Sequence, residues 1–567
     1  MSPFILFDDA RRGQATLLTG LTEVVSAATS GDVPAALDRL RGRSLAGFVT
    51  YPAGLALEPR LAGLAGPAGG DLPLLWFGAF AREERVDAAA WLPDPAGAWA
   101  GHPQPRVARA DYLARAARVK EAIAAGDIYQ ANLSFPADVP VAGDPRALYA
   151  QLRARAQAGW GALIFTGADW ILSLSPELFF TLDKGRLTAR PMKGTAAPDA
   201  DPALLAGDPK QRAENLMIVD LIRNDLARVA IPGSVRVPEL FRVERYPTVQ
   251  QMVSTVEATL APEHDAVDTL RALFPCGSIT GAPKIRAMEL IAEIEQAPRG
   301  LYTGAIGRLG PDGNAAFNVA IRTLHLKPGA RMAVIGLGSG IVADSDPAAE
   351  WRECEAKGAF VASTGRFDLI ETIAFDPTEG LLRLDRHLAR MKASAEALGF
   401  AFNRHAARNE LQAATFRLRA PAKVRLLASA AGSLAIEVRP RPPAPVEPVV
   451  AGIVPLPVDP ADWRLRHKTT DRHFYDEARR RAGRFEVVFT DRAGRLTEGS
   501  FTSVFVERDG TLLTPPLALG LVPGILRAEL IERGEAREAE LTAEDLADGF
   551  LIGNAVRGLL RAVLPSL

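Results

Sequence analysis

Cysteine is nearly missing from this sequence: Cys276 and Cys354 are the two in 567 residues. That excludes a disulfide framework and points to a reducing compartment. Neither has Cys or His neighbours at metal-ligand spacing, which argues against a zinc site. Net charge is lacking too. With 66 basic and 67 acidic side chains the formal charge is −1, leaving no basic field for nucleic acid and no polybasic membrane anchor. No window approaches 18 apolar residues, so nothing is expected to span a membrane. The opening run Phe4–Phe7 is too short for a signal peptide, and Asp8 and Asp9 interrupt it. A cytoplasmic protein is the expectation. What is present, 48% hydrophobic and 23% charged residues, describes an ordinary globular chain long enough for two or more cores.

Residues 1 to about 105 mix short apolar runs with Gly/Pro-rich turns and carry no readable chemistry. A helix is expected from Asp111, as N-cap, to Ala125, closed by Gly126-Asp127. Strands read at Tyr129–Pro136, Ala162–Thr166, Trp170–Leu174, Gly304–Leu309, Ala315–Leu326 and Met332–Ile335. Helices read near Lys210–Val229, Lys284–Glu295 and Pro347–Ala359. From about Ser363 the pattern restarts, with a strand at Asp368–Phe375 and a helix at Asp385–Leu398. The run Arg439 to Pro448 is the clearest linker, stiffened by its prolines. After it come a helix from Asp471 and strands at Glu486–Thr490 and Ser503–Glu507. The division expected is 1–362 and 363–567, with a link inside the second part at about 439–450.

Chemistry gathers first around Arg190-Pro-Met-Lys193-Gly-Thr195. Pro191 and Gly194 constrain the backbone on either side of Lys193, which suits an amine aimed into a site. On the helix Pro347–Ala359, Glu350, Glu353 and Lys357 fall on one face, and Glu214 lies on another helix. Carboxylates from separate helices, with no His or Cys beside them, suit Mg²⁺; taken singly, the same residues also read as solvated helix faces. The small-residue loops Gly277-Ser-Ile-Thr280-Gly281-Ala-Pro-Lys284 and Gly336-Leu-Gly338-Ser339-Gly340 can turn N–H groups toward a carboxylate.

Together with Gly126-Asp-Ile-Tyr-Gln-Ala-Asn-Leu-Ser134, Ser175-Pro-Glu177, Ala213 to Asp225, Tyr302-Thr-Gly304 and Ala320-Ile-Arg322, these motifs resemble the chorismate-utilising enzymes: anthranilate, isochorismate, salicylate and aminodeoxychorismate synthases. The resemblance is dense over about 105–360. It implies an α/β sandwich with a cleft between sheets holding chorismate on Mg²⁺. Anthranilate synthases usually carry Ala where this chain has Lys193, whereas aminodeoxychorismate synthases carry Lys. Lys193 is therefore implied as the nucleophile that attacks ring C2 while the C4 hydroxyl leaves, before ammonia takes C4. Glu177 is implied as the acid for that hydroxyl, Glu214 and Glu353 as ligands of the metal with Glu350 contacting it through water, and Tyr302 and Arg322 as a clamp on the pyruvyl carboxylate. Thr280, Gly281, Gly338, Ser339 and Lys357 are implied around the substrate. Gln251 and Gln211 depart from the family pattern, and the Phe4–Asp9 run lacks the tryptophan-binding motif of feedback-regulated relatives.

In the second part, Arg386-His-Leu-Ala-Arg390, Lys468, Leu496-Thr-Glu498-Gly-Ser500, Gly524-Ile525-Leu526 and Gly553-Asn554-Ala555 resemble the fold-type IV pyridoxal-phosphate enzymes, which include aminodeoxychorismate lyases and aminotransferases. The resemblance implies a two-subdomain fold, Lys468 as the cofactor-bonding lysine, Glu498 at the pyridine nitrogen, and Arg390, Ile525, Leu526 and Asn554 at the phosphate. The hairpin that usually precedes the Glu371-Thr372 pair is shortened or missing. The whole α/β chain would carry two consecutive reactions, amination of chorismate and elimination of pyruvate to 4-aminobenzoate. No amidotransferase signature is present, so a separate glutamine amidotransferase subunit is implied, as is a homodimer through the pyridoxal-phosphate part. The rivals are an anthranilate synthase subunit fused to an aminotransferase-like domain, and a synthase with a degenerate C-terminal module.

Overall fold

The computed structural model describes residues 1–64, 72–197, 199–245 and 250–565. The chain forms two compact units. The first comprises residues 1–95, 102–139 and 149–362; the second comprises 96–101, 140–148 and 363–567. A division at one point along the chain does not anticipate the two early stretches that join the second unit. Within that unit, Trp99 meets Phe367 edge-on at 6.4 Å, and the Trp463 indole N–H donates to the Ala96 carbonyl at 3.2 Å.

In the first unit an unbroken antiparallel path of strands runs from Met332–Ile341 through Thr323–Leu326, Trp170–Ser175, Trp160–Phe165 and Phe4–Asp9 to Gln14–Ala27. It continues through Leu75–Val86, Leu45–Val49, Ala305–Leu309, Ala315–Val319, Leu178–Asp183 and Arg186–Arg190 to Gln250–Thr259. The strand Leu45–Val49 shows how the sheet divides two cores. Leu45 and Val49 join the cluster with Phe77, Phe179 and Ile218, while Ala46 and Phe48 join the one with Ile5, Trp76 and Ile164. Successive side chains point to opposite faces, so burial on both sides yields a continuous apolar run rather than alternation.

Several expectations need correction. The helix placed from Asp111 is Arg109–Ala124, with Ala108 at its N-cap and Asp111 in its first turn. The single strand expected over Ala315–Leu326 is two strands, interrupted where Arg322 adopts φ 49°. The Gly336–Gly340 segment is no loop; it lies inside the strand Met332–Ile341. The helices Lys284–Glu295 and Pro347–Ala359 fall where the sequence places them. Among the described residues no helix is long and apolar enough to cross a membrane.

In the second unit the strand Leu369–Asp376 sits in a four-stranded antiparallel sheet with Gly380–Leu381, Ala422–Ala428 and Leu434–Pro440. The helices Leu384–Leu398 and Arg404–Thr415 supply Leu388, Met391 and Leu411 to the core shared with Ile373, Val424 and Leu426. Residues 441–448 then lead to an eight-stranded mixed sheet. Its strands Val449–Pro455 and Glu486–Thr490 pair in parallel and are joined through the helix His473–Ala482, a β-α-β crossover. That helix starts two residues later than the sequence suggests.

Candidate active sites

In the first unit Lys193 lies on the short strand Met192–Ala196. Asn215, fully buried on the helix Pro209–Ala227, fixes that strand. Its amide donates to the Lys193 carbonyl at 3.3 Å and the Met252 carbonyl at 3.4 Å, and it accepts from the Ser254 hydroxyl at 2.6 Å. Gly194 takes φ 92°, and a Cβ there would sit 3.0 Å from the Gln211 amide oxygen. The lysine side chain reaches Gly340, where a Cβ would lie 3.0 Å from Nζ. Burial first, then the Lys357 charge, lower the Lys193 pKa; Glu214, Glu177 and Glu353 oppose the shift. The structure therefore brings five of the expected residues within electrostatic reach of one another.

Glu177 sits between the strands Trp170–Ser175 and Leu178–Asp183 and is buried. Burial pushes its carboxyl up to about 7, although the Ser278 hydroxyl, donating at 2.7 Å, favours the charged form. Ser278 belongs to the one-turn segment Gly277–Ile279; its role was invisible in sequence because a small-residue turn gives no sign of which carboxylate it meets.

The carboxylates expected at a metal are only partly gathered. Burial raises the Glu214 carboxyl, with Asp344 and Glu350 adding to the rise. Glu350 accepts from the Ser345 hydroxyl at 2.7 Å. Glu353 is bound by Lys357 at 2.7 Å, and that ammonium holds it below the usual range against the effect of burial. Lys357 also donates to the Gly338 carbonyl at 3.0 Å. Among the described residues no three carboxylate, His or Cys side chains converge as a closed metal-binding set. Glu214 and Glu350 remain an oxygen-only pair under mutual repulsion, which is what a hard divalent cation relieves.

Tyr302 packs onto the strand Met332–Ile341 at two glycines. A Cβ on Gly336 would fall 2.1 Å from the Tyr302 Cγ, and one on Gly338 would fall 2.8 Å from its hydroxyl. Arg322 stands at the break between strands with its guanidinium 5.9 Å from the Phe360 ring centre. Three expected substrate contacts are committed elsewhere. The Thr280 hydroxyl donates to the Cys276 and Gly277 carbonyls, both at 3.2 Å. Ser339 Oγ is 2.9 Å from the Tyr112 hydroxyl. Gly281 is required by strand pairing, since a Cβ there would meet the Gln130 carbonyl at 2.3 Å.

A buried ion pair that sequence reading missed joins these motifs. Arg299 donates to Glu295 at 2.7 and 2.9 Å, to the Asn132 carbonyl at 2.5 Å and to the Ile279 carbonyl at 3.1 Å. Glu295 accepts from the Ser134 N–H and hydroxyl at 2.8 and 2.9 Å. The pair fixes three chain segments at once, and Glu295 lies 161 positions from Ser134, beyond any local pattern.

The second unit holds a cavity of about 450 Å³ lined by Lys468, Glu498, Arg390, Ile525, Leu526 and Asn554 among others. Burial first lowers the Lys468 pKa to about 7, helped by Arg390, Arg472 and Arg425 and opposed by Glu371. Glu498 lies within the strand Leu496–Gly499. It accepts from the Tyr475 hydroxyl and, at 3.2 Å, from the Val522 N–H, while burial raises it to about 7. Ile525 and Leu526 open the helix Ile525–Glu532, whose Gly524 N-cap makes no side-chain cap bond; its first N–H groups are thus left for an anion. Arg390 is largely engaged, donating to Glu371 twice at 2.7 Å and to the Pro523 carbonyl at 2.7 Å. Asn554 is occupied by its own turn, accepting from the Val556 and Arg557 N–H groups at 3.0 Å and donating to the Phe501 carbonyl at 3.2 Å. Beneath Glu498, the buried Glu486 accepts from the Val487, Ser500 and Phe501 N–H groups and the Ser500 and Thr502 hydroxyls. That carboxylate shapes the turn that borders the cavity, another contact no motif disclosed.

The first unit thus gathers a buried amine and a buried acid, and the second holds a cavity lined by a buried lysine. The chain belongs to the chorismate binding enzyme family, which residues 5–363 match. Residues 368–563 match the class IV amino-transferases. Aminodeoxychorismate synthase component 1 of Klebsiella aerogenes is 47% identical over 254 residues, 44% of this chain and 56% of that protein. Anthranilate synthase component 1 of Streptomyces coelicolor is 45% identical over 252 residues, 43% of this chain and 49% of that protein. The chain thus spans about half the length of the curated relatives it matches. The crystal structure of anthranilate synthase component I from Streptococcus pneumoniae superposes with a TM-score of 0.54 at 25% identity, covering 61% of this chain and 92% of that one.

Proposed function

We propose that this chain makes 4-aminobenzoate, a folate precursor, in two steps: amination of chorismate to 4-amino-4-deoxychorismate in the first unit, then loss of pyruvate in the second. The carrying observation is the buried Lys193 amine beside Glu177, in a chain that also holds the Lys468 cavity. Similarity alone does not separate aminodeoxychorismate from anthranilate synthases, since both stand near 45% identity. The lysine and the second unit favour the former.

Lys193 acts as a nucleophile only when neutral, and burial with the Lys357 charge shifts it toward that form. It bonds ring C2 as the C4 hydroxyl leaves with the proton of Glu177, whose raised pKa keeps it an acid near neutrality. Ammonia then bonds C4 and the lysine departs from C2, so the ring gains an amine and loses water. Tyr302 and Arg322 would orient the pyruvyl carboxylate. Glu214 and Glu350 would hold Mg²⁺, which when bound neutralises charge at the ring carboxylate. A separate glutamine amidotransferase would supply the ammonia.

The cavity of the second unit fits pyridoxal phosphate through a lysine, a buried acid and an uncapped helix N-terminus. When bound, that cofactor supplies an electron sink. Glu498 would keep its pyridine nitrogen protonated, the helix start at Ile525 and Leu526 would receive its phosphate, and Lys468 would remove the proton from substrate C4. Product analysis tests the whole reading: chorismate, Mg²⁺ and ammonium should give aminodeoxychorismate, and added pyridoxal phosphate should carry it to 4-aminobenzoate. Formation of 2-aminobenzoate would overturn it.

A further inference from the structure

The four-stranded sheet of the second unit packs one face and turns the other to the Lys468 cavity. Ile373, Val424 and Leu426 point into the core with Leu388 and Met391. Alternate residues point the other way, and Thr372, Lys423, Arg425, Glu437 and Arg439 line the cavity. Strand register sets them in rows: Ala374, Lys423 and Arg439 lie side by side, and next to them Thr372, Arg425 and Glu437.

The charges in these rows do not balance. Lys423 stands directly opposite Arg439, and like charges so placed destabilise a sheet. Glu437 is the lone carboxylate of the two rows; Arg439 donates to it, and Arg425 reaches it at 3.9 Å. Among the described residues the half-buried Lys423 amine has no hydrogen bond or ion pair. Three cations therefore share a single anion. Behind burial, Arg425 is one of the charges that lower the Lys468 pKa, which puts the excess beside the reacting amine.

The cofactor's phosphate does not account for it. The helix start assigned to that phosphate packs through Leu526 with Phe505 and Ala536 of the eight-stranded sheet, whereas the unbalanced rows belong to the other sheet. The substrate of the second step brings further negative charge: 4-amino-4-deoxychorismate carries one carboxylate on its ring and another on its enolpyruvyl group. A guanidinium offers paired N–H donors to such a planar anion, and an ammonium adds a point charge.

We propose that Lys423 and Arg425 form a carboxylate seat that holds 4-amino-4-deoxychorismate by one of its two carboxylates. The seat deepens the reading of the second unit as the site of pyruvate release and rests on it. It also explains why the sheet keeps two like charges opposed: the strain is relieved when the substrate arrives.

The test uses the full chain loaded with pyridoxal phosphate and supplied with aminodeoxychorismate. Lys423→Met and Arg425→Met keep most of the aliphatic stem. Each is expected to raise the KM for pyruvate release about tenfold, as loss of one charged contact predicts, with kcat little changed, and Lys423→Arg to restore it. Product inhibition identifies the seated group, since 4-aminobenzoate retains the ring carboxylate and pyruvate the other. Whichever inhibition weakens in the variants marks the carboxylate held; if neither weakens, or if both variants keep the parent KM, the seat is overturned. Pyridoxal phosphate affinity, titrated by absorbance, should stay at the parent value. A loss matching that of the substrate would assign these cations to the cofactor and likewise overturn the seat. Without ligands, Lys423→Met should melt no lower than the parent, because it removes a like-charge pair; a lower melting temperature would show the amine to be paired in the fold and count against the proposal. A parent that releases no pyruvate sinks the underlying reading, whereas an active parent with indifferent variants sinks the seat alone.

Discussion

The Ser278 hydroxyl meets the Glu177 carboxylate at 2.7 Å in a place where that carboxyl is only 5% exposed. The bond stabilises the anion while burial stabilises the acid, and burial wins, leaving the group near 7. Replacing the hydroxyl removes the opposing force. Ser278→Ala is expected to raise the Glu177 pKa by about one unit, since a hydrogen bond to a charged group is worth about 1.5–3 kcal/mol. The acid form then survives to higher pH, and the alkaline limb of the synthase profile moves up. Glu177→Gln should lose about 10²- to 10⁴-fold in rate. Rate against pH with ammonium held at a fixed free-ammonia concentration reads both, and an unmoved alkaline limb in Ser278→Ala counts against Glu177 as the acid.

Lys193 sets the other limb. Its pKa is lowered by burial and by Lys357, and the reaction needs the neutral amine, so activity is lost as pH falls through that pKa. Lys357→Met removes the nearby positive charge, so the Lys193 pKa rises and the acid limb moves to higher pH. Lys193→Ala should abolish aminodeoxychorismate formation while the second unit still converts aminodeoxychorismate supplied to it. Retained amination in Lys193→Ala would show that the amine does not bond the ring.

Much of this was legible in the sequence, and the reasons are specific. Lys284–Glu295 and Pro347–Ala359 are bounded by proline and flanking turn residues, so their limits could be read. Lys193 and Lys468 stand in motifs with fixed neighbours. What escaped were residues whose meaning depends on distant partners. Ser278 acquires its role from a carboxylate 101 positions away, and Arg299 from the Asn132 carbonyl 167 positions earlier in the chain. Gly336 to Gly340 read as a loop because glycine is depleted in strands; in the strand, Tyr302 fills the side-chain space of Gly336 and Gly338 and Lys193 that of Gly340. Thr280 and Ser339 carry the right chemistry for binding, yet their hydroxyls are consumed by the turn and by Tyr112.

That packing yields a third prediction. A methyl at Gly336 would lie 2.1 Å from the Tyr302 ring, so the ring must move. Overpacking of this kind costs about 1–3 kcal/mol. Gly336→Ala is expected to lower the melting temperature and raise the KM for chorismate several-fold, with the second unit's turnover of supplied aminodeoxychorismate unaffected. A KM equal to the parent's would remove Tyr302 from the substrate clamp.

Arg299 offers a test of stability rather than chemistry. Removing one partner of a buried pair leaves an uncompensated charge, which costs about 3–5 kcal/mol. Arg299→Leu strands the Glu295 carboxylate and frees the Asn132 and Ile279 carbonyls together. The double change Arg299→Leu with Glu295→Leu removes both charges, and should recover a large part of the loss. Denaturant unfolding of the two single variants and the double measures the coupling; strict additivity would mean that the pair does not act as a unit.

The last prediction separates the two units. Lys468→Ala should leave amination intact and let aminodeoxychorismate accumulate, because the first unit does not depend on that amine. Glu498→Gln tests the neighbouring acid differently. A carboxyl near 7 can hand its proton to a bound pyridine nitrogen and stay paired with it as the anion, whereas an amide cannot. Pyridoxal phosphate should therefore still bind to Glu498→Gln, read by its absorbance, while pyruvate release slows by about 10²- to 10⁴-fold. If pyruvate appears at the parent rate, Glu498 serves only the packing around Tyr475. If Lys468→Ala makes 4-aminobenzoate normally, the second unit has no part in the reaction, and the two-step reading fails at its second step while the first stands.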